Sequence, residues 1–424
     1  MSERTKKIIL IILFSTVVVG AGVVIYYLFF RPPVTPTPVA IPENVIPGLP
    51  TAGTGAPQPG AGVIPTTPEG GVLPVAPGGG AVPTVPTAAP YQAPGAQPPA
   101  KTFALTQQPV QAISVSQSGT GVRTYNPQDG KFYRVTDDGA MIPLSDNVFY
   151  SVSNVTWANR TDKAVLEYPD GSKTLYDFNN DKQVTLPKYW EDFNFSPQDN
   201  QIAAKSIGNN ETSRFLVISN PDGTNARPVA DLGENWDKVH TSWSPNNQVI
   251  GYSFTGDPIG MDRQSVLLIG KNQENYKDLV VEGRGFIPKW SPSGNNLLYS
   301  VYSTENDYKP MLWVSGAVGD AINAHRQNIG IQTWADKCAW QTEQVLICAV
   351  PDQIPSGAAL QREALMGNTA DSIVRVDLSS GTRVNLGHPT GNPTVNQMSL
   401  SADGQYAYYT DRSTGNLMRF SLTP

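Results

Sequence analysis

The sequence predicts an all-β fold, a β-propeller of seven four-stranded blades with six as the alternative count, preceded by one transmembrane helix and a disordered proline-rich linker. A motif that combines a strand end, a turn and a second strand recurs seven times, with starts 38 to 60 residues apart. Residues 1–100 have the composition of an anchor and a linker, whereas residues 101–424 are rich in aromatic, β-branched and turn residues. Repeats of this length that carry short strands are typical of propeller blades rather than of helical arrays.

The repeated motif has a mechanical explanation at each position. Its clearest copy reads Trp-Ser-Pro-Ser-Gly from Trp290 to Gly294 and precedes the apolar run Leu297 to Val301. The large first residue is suited to wedge between neighbouring blades, and proline ends the strand because it cannot donate a ladder hydrogen bond. A glycine or asparagine then supplies the positive φ of a tight hairpin. The other copies begin at Ser114, Trp157, Phe195, Trp243, Trp340 and Leu400.

These copies resemble the Trp-Ser-Pro-Asp-Gly repeats of the TolB-like propellers, which are related to the propellers of prolyl oligopeptidases. The resemblance covers about 320 residues, from residue 101 to the end. It implies the propeller fold and, because TolB-like propellers are associated with envelope complexes, a protein-binding role in the cell envelope. Several copies carry asparagine or serine in place of aspartate, and the copy at Ser114 lacks the aromatic residue. The resemblance therefore defines the architecture more firmly than the blade count.

The N-terminal residues have the pattern of a signal anchor. Residues 1–7 carry Arg4, Lys6 and Lys7, and the 23 residues of segment 8–30 carry no charge. Such a segment is long enough to span a bilayer. Positive charge before it places the N-terminus in the cytoplasm and the rest of the chain outside. A cleaved signal peptide is the alternative, but its apolar region is normally shorter, so we expect an uncleaved single-pass anchor.

The segment that follows, residues 31–100, has the composition of a linker. It contains 19 prolines, and its charged residues are Arg31, Glu43 and Glu69. A segment of this kind cannot bury enough apolar surface to fold and stays extended or disordered. We expect it to tether the propeller of residues 101–424 at a distance from the membrane.

The last repeat lacks a strand, which predicts how the ring closes. The C-terminal sequence offers three strands, Val395–Ser399, Tyr406–Thr410 and Leu417–Leu422, and the run Phe103–Gln108 precedes the first repeat. If that N-terminal run supplies the outer strand of the last blade, the sheet has no open edge where the ring closes.

One repeat carries an insert of about twenty residues, Pro351 to Asp371, between its predicted second and third strands. Insertions in a repeat often map to the binding face. They are also tolerated as surface loops without function, so both interpretations stay open.

The two cysteines flank a predicted hairpin in the same repeat. Cys338 and Cys348 stand opposite each other across adjacent strands, where a non-hydrogen-bonded pair comes within disulfide range. An oxidising compartment favours a disulfide. The alternative is two buried thiols that pack as small apolar groups.

Composition and motifs exclude several functions. The net charge is −6 and no basic run occurs, which disfavours nucleic-acid binding. The three histidines do not have metal-ligand spacing, and no nucleophile elbow, Walker loop or zinc-protease motif occurs. The sequence therefore predicts no metal, no cofactor and no enzymatic activity.

Four loops that enter inner strands of the blades each combine an aromatic residue with nearby charge. Loops of this position and the insert emerge on the same face of a propeller, and aromatic residues ringed by charge are typical of binding hot spots. The alternative is that the aromatic rings recur because they pack between blades. The candidate binding residues are Trp190, Asp192, Trp236, Asp237, His240, Arg284, Phe286, Trp334 and Asp336.

These observations favour a membrane-tethered, extracytoplasmic propeller that binds an envelope or surface protein as a scaffold or receptor. An alternative is a propeller that binds a small ligand, such as a glycan, a cell-wall fragment or a peptide, at the mouth of the channel. A hydrolase is the least favoured function, because propeller hydrolases need inward-facing carboxylates, histidines or a metal.

Overall fold

Seven antiparallel β-sheets follow one another along the chain as the blades of a β-propeller in the computed structural model, which describes residues 101–115, 121–362 and 369–423. The predicted all-β fold and the count of seven blades are confirmed. Six blades contain four strands, and blade 4 contains an additional short strand.

The first half of the ring contains strands β1 to β13. Strand β1 is Thr102–Ala104, blade 1 is β2 to β5, blade 2 is β6 to β9, and blade 3 is β10 to β13. The bounds are β2 Gln111–Val115, β3 Val122–Asn126, β4 Lys131–Val135, β5 Met141–Pro143, β6 Asn154–Trp157, β7 Lys163–Glu167, β8 Lys173–Asp177, β9 Lys182–Leu186, β10 Trp190–Phe195, β11 Ile202–Ile207, β12 Arg214–Ser219 and β13 Arg227–Asp231.

The second half contains blade 4 (β14 to β18), blade 5 (β19 to β22), blade 6 (β23 to β26) and blade 7 (β27 to β29). The bounds are β14 Val239–Thr241, β15 Val249–Ser253, β16 Pro258–Ile259, β17 Arg263–Gly270, β18 Leu279–Val281, β19 Arg284–Trp290, β20 Asn296–Tyr302, β21 Met311–Gly316, β22 Gln327–Asn328, β23 Cys338–Trp340, β24 Val345–Pro351, β25 Asp371–Asp377, β26 Arg383–Gly387, β27 Val395–Leu400, β28 Tyr406–Asp411 and β29 Leu417–Ser421. Short 3-10 turns lie at Glu211–Ser213, Gly233–Lys238, Thr304–Asn306, Gly319–Ala321 and Ala335–Lys337.

The second strand of each blade is buried on both faces. In β20, for example, five consecutive residues from Leu297 to Val301 are buried. Both faces are covered because each blade packs between two neighbours, so these strands read as continuous apolar runs rather than as an alternation. The apolar clusters accordingly span blade pairs, and one joins Val249 and Val266 of blade 4 to Leu297 and Tyr299 of blade 5.

The large residue of the repeated motif lies between neighbouring blades, as predicted. The indole Nε1 of Trp157 donates to the Ala112 carbonyl of the preceding blade at 2.6 Å. Trp290 Nε1 donates to Ser242 Oγ at 2.9 Å in the same manner. The tryptophan therefore couples two blades by packing and by a directional bond.

The serine of the motif has a function that sequence reasoning missed. Its hydroxyl oxygen accepts a hydrogen bond from a backbone amide five residues later and closes the turn, a common contact for serine in turns. The pairs, each 2.9 to 3.2 Å between amide nitrogen and Oγ, are Gln201 to Ser196, Val249 to Ser244, Asn296 to Ser291 and Tyr406 to Ser401.

Strand β1 closes the ring as the outer strand of blade 7, as predicted. It pairs with β29 in the register Thr102 to Phe420, and the sheet order is β1-β29-β28-β27. The predicted strand reached Gln108, whereas the observed one ends at Ala104. It ends there because the amides of Leu105 and Thr106 both donate to the Leu417 carbonyl, which turns the chain away from the sheet.

The hairpin of β23 and β24 has the predicted register, with Cys338 opposite Cys348. The two residues form a disulfide, and their Cα atoms are 4.0 Å apart. Both cysteines are fully buried, so the bond lies inside the core at the inner edge of blade 6.

The predicted cytoplasmic segment 1–7, the transmembrane helix 8–30 and the linker 31–100 lie outside the described residues. Within the described part of the chain, no helix has the length and apolar character that crossing a membrane requires.

Candidate functional site

The four predicted aromatic rings lie in or against the packing between blades. Trp190, Phe286 and Trp334 each have at most 5% of their surface exposed. Trp236 is half-buried and packs against the apolar cluster shared by blades 3 and 4. The rings therefore pack as the alternative interpretation of the sequence expects, and a binding role for the candidate residues stays a prediction.

The inner strands share a distortion at the loop face, by which we mean the face where the loops that enter the inner strands emerge. Register shifts occur between Glu191 and Asn194 in β10 and between Arg284 and Ile287 in β19. Strands β2 and β27 have the same shift. Bulges of this kind re-aim side chains and are frequent beside functional sites. Sequence reasoning missed them, although the glycine between Arg284 and Phe286 is a signal.

Asp192 occupies the bulge of β10 with a φ of +55° and fastens blade 3 to blade 4. Its Oδ2 accepts the amide of Thr241 at 2.9 Å, and its Oδ1 accepts the Thr241 hydroxyl at 3.0 Å. Its Oδ2 is 3.9 Å from Nζ of Lys205 and 3.9 Å from Nδ1 of His240. The predicted residues Asp192 and His240 are thus brought together, and the carboxylate also has a structural task.

His240 packs against aromatic rings at the end of blade 4. Its ring centroid lies 5.4 Å from Tyr252 and 5.6 Å from Phe254. Burial among these rings lowers the pKa of His240, and the carboxylate of Asp192 opposes that shift. The imidazole is therefore neutral near pH 7. Asp237 is exposed in the turn Gly233–Lys238, and its carboxylate also opposes the lowering of the His240 pKa.

A second group of predicted residues lines a cavity of about 390 Å³ on the loop face, which we call the loop cleft. It lies where blades 4, 5 and 6 meet the insert and is open to solvent. Three predicted residues, Arg284, Phe286 and Trp334, contribute to it. The lining residues are Phe254, Gln264, Arg284, Gly285, Phe286, Ile287, Ser300, Val301, Tyr302, Pro310, Trp334, Ala359 and Arg362.

Gly285 is required at the bulge that shapes the loop cleft. It has a φ of +66°, and a Cβ at this position would lie 2.4 Å from Cε1 of Tyr302. No residue with a side chain fits that space without moving the tyrosine ring. The glycine therefore lets the chain pass close to Tyr302 and turn Arg284 and Phe286 into the cleft.

The insert of blade 6 is docked on the loop of blade 5. The amides of Gly357 and Ala359 donate to the carbonyls of Asp307 and Tyr308 at 2.7 and 3.0 Å. Both acceptor residues have positive φ, 52° and 55°. This backbone pairing holds the insert over the edge of the cleft, so the insert and the loops share one face, as the connectivity predicts.

Arg362 is the residue of the insert that brings a positive charge to the wall of the loop cleft. Its guanidinium lies 5.3 Å from the ring centroid of Trp334 and forms an ion pair with Asp336. The predicted residue Asp336 therefore holds an arginine of the insert in place rather than facing the cavity. Sequence reasoning missed Arg362, because nothing in the sequence of the insert indicates which of its residues contacts the turn Ala335–Lys337.

Lys289 of β19 reaches across the central channel to two other blades. Its Nζ donates to the carbonyl of Cys338 in blade 6 and to that of Met398 in blade 7, the latter at 3.1 Å. Burial lowers the pKa of Lys289 from 10.5 to about 8, and the nearby carboxylate of Asp336 opposes that shift. The amine therefore ties three inner strands together below the cleft.

We expect the stability contributed by Lys289 to rise with pH between about 8 and 10.5. The folded protein releases this proton near pH 8 and the unfolded chain near 10.5, so the unfolded state holds more protons in that window. The measurement is urea unfolding of wild type and Lys289→Met at pH 7.5 and at pH 9.5. From the lower to the higher pH, the free energy of unfolding of wild type should rise by about 1 to 2 kcal/mol relative to that of Lys289→Met. Lys188→Met, at a side chain 66% exposed, is the control and should show no shift. An equal pH response of both variants would contradict the assignment.

A serine, a histidine and an aspartate meet in blade 6 but do not form a nucleophilic relay. Ser372 Oγ donates to Asp352 Oδ1 at 2.8 Å and lies 3.4 Å from His388 Nε2. Because the serine hydroxyl donates its hydrogen bond to the carboxylate, the histidine is not placed to act as the general base for this serine. The group lies at the start of β25, where Asp352 and His388 are both partly exposed.

Comparison with protein-family models finds no match for the chain, and no curated protein matches its sequence. Solved structures share the fold. The oligogalacturonate lyase of Vibrio parahaemolyticus aligns with a TM-score of 0.52 at 10% identity, covering 76% of this chain and 93% of the lyase. The β-propeller domain of Cps50 (Swd1) from Myceliophteria thermophila aligns with a TM-score of 0.51 at 11% identity, covering 76% of this chain and all of that domain.

The tricorn protease also aligns, with a TM-score of 0.48 at 10% identity. The alignment covers 77% of this chain and 34% of the protease, so this chain spans about a third of that protein's length. Likeness at these identities establishes the β-propeller fold alone, because the same fold carries unrelated functions.

Proposed function

We propose that this chain is a membrane-tethered, extracytoplasmic β-propeller that binds an envelope or surface protein through its loop face. The observation that carries the proposal is the loop cleft, which three blades and a docked insert build together. Closing the ring does not need the insert, yet its backbone is held by two hydrogen bonds at the edge of the cavity. The tether rests on the charge-free segment 8–30 and the proline-rich segment 31–100.

The binding of a small ligand is the second candidate function. The volume of the loop cleft, about 390 Å³, falls in the range of ligand pockets, and four aromatic side chains contribute to its wall. A glycan or a peptide would occupy the same cavity, so the two candidates differ in the size of the binder rather than in its location.

A photo-crosslinking residue placed at Leu360 tests the protein-binding function. Leu360 lies in the insert beside the cleft residue Ala359, and 56% of its surface is exposed. We expect cross-linking of full-length protein in intact membranes to yield a discrete protein adduct from this position. The matched control is Gln198, an exposed residue in the turn between β10 and β11 on the opposite face. Its adduct yield should be about tenfold lower, because binding energy is confined to a small part of a surface.

Equal adducts from Leu360 and Gln198 would contradict binding at the loop face. If only small molecules, such as cell-wall fragments, are attached at Leu360, the second candidate replaces the first.

A further inference from the structure

The loop cleft carries positive charge in a chain whose net charge is −6. Within the described part of the chain, its thirteen lining residues include two arginines, Arg284 and Arg362, and no aspartate or glutamate. Most of the remaining wall is apolar. A cavity with this lining favours a ligand that combines a negative charge with an apolar group.

The charge of Arg284 is the one that its surroundings leave uncompensated. Arg284 is exposed at the mouth of the cleft, and its Nη2 donates to the Met261 carbonyl at 3.1 Å. Among the described residues, no carboxylate lies within ion-pair distance of it. Arg362 differs, because Asp336 forms an ion pair with it. A carboxylate that enters the cleft would therefore find its partner in Arg284.

The backbone holds Arg284 in position for such a contact. The bulge between Arg284 and Ile287 and the positive φ of Gly285 turn the arginine toward the cavity. The Met261 carbonyl fixes one edge of the planar guanidinium, which limits the side-chain entropy lost when an anion binds.

The apolar wall decides between an acidic peptide and an acidic sugar. The rings of Phe254, Phe286 and Trp334 line the cavity together with the aliphatic residues Ile287, Val301 and Pro310. The neutral polar side chains of the lining are Gln264, Ser300 and Tyr302. A sugar would leave most of its hydroxyl groups without partners on such a wall, at a free-energy cost for each. An apolar side chain beside a carboxylate suits both parts of the cleft.

We propose that the loop cleft binds an acidic peptide segment, in which an apolar side chain fills the cavity and a neighbouring carboxylate pairs with Arg284. This inference rests on the proposed function and specifies the chemistry of the partner. The carboxylate and the guanidinium match as a bidentate pair, the geometry that arginine favours.

A selection from a phage-displayed random dodecapeptide library against the purified full-length chain tests the proposal. We expect the selected peptides to be enriched in aspartate or glutamate next to an aromatic or aliphatic residue. Changing that acid to its amide should weaken binding about tenfold or more, and Arg284→Ala should do the same, because each removes one side of a charge-assisted pair. Combining both changes should cost little more than either alone.

Arg375→Ala is the matched control, since Arg375 is an exposed arginine in the middle of β25. It should bind the selected peptides as wild type does. Arg284→Lys, which keeps the charge and loses the planar fork, should fall between wild type and Arg284→Ala.

Peptides without acidic enrichment, no selected peptide at all, or equal binding by Arg284→Ala and wild type would each overturn the proposal. The photo-crosslink at Leu360 separates this failure from that of the proposed function. A partner still cross-linked to Arg284→Ala at the wild-type yield leaves protein binding in place and overturns the acidic recognition. The absence of any adduct from the wild-type protein overturns both.

Discussion

Replacing Asp371 with alanine is expected to lower the free energy of unfolding of the propeller by about 3 to 5 kcal/mol, because it leaves a buried ammonium without its partner. Nζ of Lys337 lies 2.6 and 2.7 Å from the two carboxylate oxygens of Asp371, and neither side chain is exposed. Burial lowers the pKa of Lys337, and the carboxylate opposes that shift. The same carboxylate accepts the amide of Val395 at 2.6 Å, so the substitution also loosens blade 7.

Urea unfolding followed by circular dichroism measures this loss, with Asp352→Ala as the control. Asp352 lies next to Pro351, which pairs with Asp371, but 39% of its side chain is exposed. Its removal should cost less than about 1 kcal/mol, as for other exposed ion pairs. Combining Asp371→Leu with Lys337→Met should recover much of the loss, because an apolar pair needs no compensating charge. A loss below about 1 kcal/mol for Asp371→Ala would show that the pair does not hold the blade.

The Lys337–Asp371 pair illustrates what sequence reasoning misses. The two residues are 34 positions apart and are separated by the insert. Nothing in the local sequence pattern indicates that Asp371, the first residue of β25, contacts Lys337 in the turn before β23. The pair holds Asp371, the last residue of the insert, against the turn that also carries Asp336.

The fold, in contrast, could be predicted from local chemistry repeated in phase. Proline and glycine in the copy at Trp290 specify a strand end and a turn without reference to the rest of the chain. The missing outer strand of blade 7 followed from counting strands, and the pairing of Thr102 with Phe420 confirms it. The facing cysteines followed from the register of one hairpin, which places Cys338 opposite Cys348.

The candidate site could be predicted only in part. The loops that carry Arg284, Phe286 and Trp334 were found because an aromatic residue with nearby charge recurs in them. Their recurrence does not distinguish a packed ring from an exposed one, since both need an aromatic residue at a fixed distance from the strand. Which side chains of these loops face solvent depends on bulges such as the one at Gly285. Arg362 belongs to the insert, outside the repeated pattern.

Trp190→Ala is expected to lower the free energy of unfolding by about 3 to 5 kcal/mol, because it opens a cavity in the core between blades 2 and 3. The ring is 1% exposed and belongs to an apolar cluster with Leu186, Phe193 and Val217. Its Nε1 is buried and finds no hydrogen-bond partner among the described residues. Trp190→Phe should therefore cost much less than Trp190→Ala, since phenylalanine fills most of the space and carries no unpaired N–H group.

Trp236→Ala provides the comparison with a less buried tryptophan ring. Trp236 is half-buried, and its ring lies 5.5 Å from Nζ of Lys205. Its loss should cost about 1 to 2 kcal/mol, because the half-buried ring gives up part of its packing against the apolar cluster together with a cation–π contact. If Trp190 acts through packing alone, Trp190→Phe keeps the photo-crosslink from Leu360 at the wild-type yield. A folded Trp190→Phe protein that melts like wild type but loses this adduct would instead place the indole ring in the binding surface.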